Sequence, residues 1–136
     1  MTRTGTRTAS LALIAALAAG GGTAAALTAA APASAATACQ TATVTALATA
    51  QANSTAVNNA EATPALAANK AASNAVNAAI TACTNENAPA EVTGPLQEAA
   101  RYLKVAYINI GFDWGAAQIA SSNAVMATQS AINDES

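Results

Sequence analysis

The sequence predicts an all-α protein: a small helical bundle of three to four helices, in which a disulfide-clamped antiparallel hairpin carries a long or kinked C-terminal helical segment. Three observations predict it. Apolar residues recur at helical intervals through residues 96–114. Thr37 and Thr63-Pro64 each carry a helix-start signal. Cys39 and Cys83 are equidistant from residue 61, beside the second of those starts, which is where the turn of a helical hairpin would fall.

Residues 1–35 have the layout of a secretory signal peptide. Arg3 and Arg7 stand on a Thr-rich lead, followed by the apolar run Leu11 to Ala19, the Gly20-Gly21-Gly22 break, and Ala33-Ser34-Ala35 as the cleavage site. The uncharged stretch Leu11 to Ala31 makes an uncleaved membrane anchor the competing reading, but the glycine run and the weak hydrophobicity of Ala argue against it. Cleavage before Ala36 leaves a single all-helical domain over 36–136, secreted or associated with the cell envelope. The heavy use of Ala points to a high-GC bacterium. An exported chain with two cysteines is expected to join Cys39 to Cys83, since the surroundings are oxidising. Lipidation of Cys39 is the rival, disfavoured because Ala36-Thr37-Ala38-Cys39 lacks the usual Leu and lies far from the apolar run.

A first helix is expected over about 37–60, opened by the capping box Thr37-Ala38-Cys39-Gln40. A second is expected over about 64–84, with Thr63 as N-cap and Pro64 as first helical residue. Its seam would be Leu66, Asn69, Ser73, Val76, Ile80 and Cys83, spaced three and four apart. Residues 85–95 hold Pro89, Gly94 and Pro95 and read as the main loop. A third helix is expected over about 95–110 and a fourth over about 113–132, with Gly111 as a left-handed stop and Asp113 as the next cap. One continuous helix from Leu96 to Ile132 is the alternative, and Asn133 to Ser136 should fray.

All four aromatic residues (Tyr102, Tyr107, Phe112 and Trp114) lie within 96–114. Leu96, Ala100, Leu103, Tyr107, Ile110 and Trp114 share one helical face, so this segment is expected to be buried on most sides at the centre of the core, with Tyr107 and Trp114 inside. Tyr102, Ile108 and Phe112 lie on a second stripe and are the candidate interaction surface. Residues 106–114 also alternate at strand period, but no second segment of strand character is present to pair with them.

Chemistry is sparse. The chain has no His, hence no imidazole base or His metal ligand, and a disulfide leaves no thiolate. Glu91, Glu98 and Asp113 read as solvated or capping carboxylates. Asn53-Ser54-Thr55 matches a glycosylation sequon at mid-helix, and the related tetrapeptides at 54–57, 73–76 and 122–125 do not form a repeat array. From residue 36 onward, Lys70, Arg101 and Lys104 stand against seven acids, a formal charge of −4. Such a domain is ill suited to nucleic acid or, once the leader is removed, to a membrane. The expectation is therefore a non-enzymatic structural or protein-interaction role, with no catalytic residue, cofactor or metal. The partner would be another protein, or a second copy meeting this one through 96–114. The alternative is an extracellular carrier holding a small hydrophobic ligand between its helices.

Overall fold

The computed structural model describes residues 36–135, which form four helices and no strand: α1 (Ala38–Asn58), α2 (Ala62–Asn85), α3 (Ala90–Asn109) and α4 (Trp114–Glu135). The leader assigned to 1–35 lies outside the described residues. Each helix packs on the next in sequence, and α4 closes the ring against α1. None of the four is long and apolar enough to cross a membrane.

The opening of α1 follows the sequence expectation. The Thr37 hydroxyl accepts from the Gln40 amide at 3.1 Å, and the Gln40 side chain accepts from the Thr37 amide at 3.0 Å. Several of the Thr hydroxyls of α1 are satisfied within the helix itself. Thr45 and Thr49 donate to the carbonyls of Thr41 and Thr45, each at 3.1 Å.

Each interhelical turn is made by one left-handed residue: Ala60 (φ 55°), Asn87 (φ 55°) and Gly111 (φ 79°). After α2 the amides of Asn87 and Ala88 bond to the carbonyls of Thr84 and Cys83, at 3.0 and 2.9 Å, the two bonds of a Schellman motif. Gly111 divides α3 from α4 as the sequence predicts, and the Asp113 carboxylate accepts from the Ala116 amide at 3.0 Å to open α4.

Two helix starts depart from expectation. The second helix begins at Ala62, not at Pro64, and its N-cap is Glu61, which makes no side-chain cap bond. Pro64 falls among the first four residues, whose amides have no partner within a helix, so the earlier start sacrifices nothing. The third helix begins at Ala90 and runs through Pro95, shrinking the loop expected at 85–95 to Glu86–Pro89. The reason is Val92: it is buried one turn ahead of Leu96 on the same face, and it packs in the cluster that holds Cys39 and Cys83. That burial carries the helix across a residue that removes one internal hydrogen bond.

The core is thin and built on Ala. Its largest fully buried side chains are Leu47, Leu96, Leu103, Ile132 and the valines 57, 76 and 92. Along α2 the buried seam is Ala65, Asn69, Ala72, Val76, Ala79 and Cys83, so the expected Leu66, Ser73 and Ile80 stand at its margin. Along α3 it is Val92, Leu96, Ala99, Leu103 and Ala106. The expected burial of 96–114 on most sides is therefore corrected: one stripe is enclosed, while Val105, Tyr107, Ile108 and Phe112 are exposed. The enclosed stripe is the single row of α3 at three- and four-residue spacing through Val92, Leu96, Ala99, Leu103 and Ala106, and Val105, Tyr107 and Ile108 lie off that row. Trp114 and Ile110 do pack inward, half-buried against Val57, Ala65 and Ala117 at the end of the bundle where the first and third turns meet.

Cys39 and Cys83 are joined, with 4.4 Å between their Cα atoms, at the opposite end. Closing the 44-residue separation corresponds to about 4 kcal/mol in the chain-entropy account. Around the bond, the Glu86 carboxylate accepts from the Cys39 amide at 3.1 Å, an acid placed at the N-terminus of α1. From α4, Glu135 reaches the hydroxyl of Thr43. The expected fraying from Asn133 onward is thus overturned through Glu135: Ile132 is buried, Glu135 is half-buried, and both hold the last turn to α1.

Candidate functional site

Besides exposed Ile119 and Met126 on α4 and a smaller trough of about 400 Å³ between α1 and α4, two outward features stand out once the core is assigned. The first is the tip formed by the last turn of α3 and the turn after it. There Ile108 is 63% exposed and Phe112 89% exposed. Tyr102, the third residue of the expected surface, is half-buried and packs against the main core cluster. Tyr107, expected inside, is 55% exposed. Its neighbours Ala106 and Leu103 take the interior positions, one and four residues earlier on the helix.

The second feature is a trough of about 740 Å³ on the outside of the bundle between α2 and α3. Its apolar end is Leu66 with Tyr107, and Lys70, Arg101 and Lys104 line it together with Ser73 and Asn77. The helices are held in register beneath it by Asn69, whose amide donates to the Leu103 carbonyl at 2.9 Å. These are all the cations of residues 36–135, and no acid lines the trough. The one ion pair among the described residues is Arg101 with Glu98, at 3.1 Å on an exposed helix face, a contact of a kind that contributes little. Comparison with protein-family models, with curated proteins and with solved structures finds no match.

The trough is a site that sequence reasoning missed, although its signal was present. Lys70 and Lys104 each lie 17 residues from Asn87, the left-handed turn between α2 and α3. The equal-distance argument that paired Cys39 with Cys83 would have faced these two lysines as well, had the loop been placed at 87 instead of spread over 85–95.

The carboxylates resolve into local roles. Asp113 caps α4, Glu98 pairs with Arg101, and Glu91 stands in the exposed first turn of α3. Glu135 is the exception. Burial raises its pKa to about 7; the Thr43 hydroxyl opposes the shift by donating to the carboxylate, and the charge of Glu86 adds to it. Glu135 also lies within 4.8 Å of both cysteine sulfurs. Those sulfurs are bonded to each other and offer no thiolate, so the trio is a disulfide with a carboxylate beside it, not a metal centre.

Proposed function

We propose that this protein is an exported helical docking domain without enzymatic activity, which binds a protein partner through the apolar tip at Ile108 and Phe112. The observation that carries the reading is Phe112, whose 89% exposure exceeds that of every other large apolar side chain among the described residues, with Ile108, 63% exposed, four residues before it. Each forgoes roughly 1.5–3 kcal/mol that burial would return, and a partner surface covering the tip recovers it. The Cys39–Cys83 bond supports a location in an oxidising compartment, in keeping with the leader-like residues 1–35. The lack of His supports the non-enzymatic reading. A ligand enclosed between the helices has less support, since side chains occupy the seams.

The test is site-specific photo-crosslinking in the native host. A photoreactive residue at position 108 or 112 is expected to give one dominant protein adduct, while the same residue at exposed Ala78 on α2 gives none. Equal labelling from all three positions, or none from any, refutes a docking tip. An adduct of twice the chain mass would instead identify a second copy as the partner.

A further inference from the structure

From the trough between α2 and α3 we infer a second binding site, distinct from the tip: it takes a small amphiphilic anion, a carboxylate carried on a short aliphatic or flat apolar body. The first ground is charge. An acidic domain with only three cations places all of them around one concavity and directs no acid into it. Arg101 and Lys104 are three apart on one helix face, a like-charge spacing that destabilises a helix slightly. Seven acids were available to separate or pair these cations, and only Glu98 does so. Lys70 and Lys104 have no ion-pair partner among the described residues, and an anion that arrives from outside neutralises them.

The second ground is shape. A volume of about 740 Å³ is that of a site for one small molecule. The lining is also divided along the trough. Leu66 and Tyr107 form an apolar end, and about one turn further along each helix Lys70 and Lys104 line it. Ser73 and Asn77 continue the polar side and can hydrogen-bond a headgroup. A ligand with one charged and one apolar end therefore has a single orientation, its tail towards Leu66 and its carboxylate among the cations. A bare inorganic anion would leave the apolar end uncovered, and a cationic amphiphile would be repelled.

Neither Ile108 nor Phe112 lines this trough, so the site stands or falls apart from the docking tip. The experiment is a titration of the oxidised, leader-free protein with decanoate below its micellar range, followed by amide chemical shifts. Saturable one-to-one binding is expected, with shifts centred on Leu66, Lys70, Arg101, Lys104 and Tyr107. The triple variant Lys70→Gln/Arg101→Gln/Lys104→Gln is expected to bind at least tenfold more weakly with an unchanged fold. Lys70→Arg/Lys104→Arg should retain binding, and Leu66→Ser should weaken it while leaving the charges in place. Three further probes set the limits: acetate, decyltrimethylammonium and a hexa-aspartate peptide should each bind at least tenfold more weakly than decanoate. No saturable decanoate binding overturns the proposal. So does equal binding of the cationic amphiphile, which would indicate mere apolar adsorption, or tighter binding of hexa-aspartate, which would make the trough a contact for an acidic protein segment.

Discussion

Ala60 shows how much a single backbone angle decides here. It turns the chain between α1 and α2 at φ 55°, a conformation that charges an L-residue with a β-carbon about 1 kcal/mol, whereas Gly111 performs the same service at φ 79° without strain. Ala60→Gly should therefore raise the unfolding free energy by about 0.5–1 kcal/mol, and Gly111→Ala should lower it by about 1 kcal/mol, both read from urea midpoints. Glu135 gives a pH-dependent counterpart. Its folded pKa of about 7 lies above the ordinary 4.5, so the folded state holds the proton more tightly than the unfolded chain does. The stability this contributes is fully present below pH 4.5, declines as pH rises from 4.5 to about 7, and is absent above that. With a discount for its partial exposure, Glu135→Gln should stabilise the protein by about 1–2 kcal/mol at pH 8 and leave it unchanged at pH 4. Equal effects at both pH values would assign the change to packing. Asn53 is a third such residue: its amide donates to Ser121 at 3.1 Å, but its carbonyl oxygen is buried without a partner. Removing the Ser121 hydroxyl alone should cost about 1–2 kcal/mol, while Asn53→Leu/Ser121→Ala should be neutral or stabilising.

Among the elements, most boundaries set by local chemistry were legible, although the Thr63-Pro64 signal fell two residues inside the helix it was expected to open, and those set by packing were harder to read. The Thr37-Gln40 box, the Gly111 stop and the Asp113 cap are short-range hydrogen-bond or backbone requirements, and they can be read from residue type. Pro95 misled because Gly94-Pro95 resembles a break, and only the burial of Val92 beside the disulfide reveals that the helix passes through. Pro95→Ala should accordingly stabilise α3, by about 1–2 kcal/mol in thermal unfolding, since it restores the bond to the exposed Glu91 carbonyl. The face of α3 misled in a similar way. The sequence offers two overlapping apolar stripes of comparable strength, and the choice between Tyr107 and Ala106 for the interior was made by the Ala-lined partners, which admit only a small side chain. The clamp between α1 and α2 was legible from symmetry about the turn. Replacing both Cys39 and Cys83 by Ser should lower stability by about 4 kcal/mol, which for a core this thin is a large part of the total.

At the scale of the whole molecule, the larger apolar side chains of the described residues divide between a narrow axis of Leu, Val and Ile within an Ala frame and an exposed set that folding does not enclose, with Ile108 and Phe112 at the α3–α4 turn and Ile119 and Met126 on α4. The charge is sorted as well: among the described residues the three cations line one trough, and no acid lines it. A 100-residue bundle stapled at one end can tolerate such surplus apolar surface, because the disulfide supplies stability that a larger core would otherwise provide. The most direct test of this division is urea unfolding of Ile108→Ser/Phe112→Ser beside Leu96→Ala. The account predicts that Leu96→Ala loses about 2–5 kcal/mol, and that the double variant at the tip stays within about 0.5 kcal/mol of the parent. A loss in the double variant as large as that of Leu96→Ala would place Ile108 and Phe112 in the core and contradict the account.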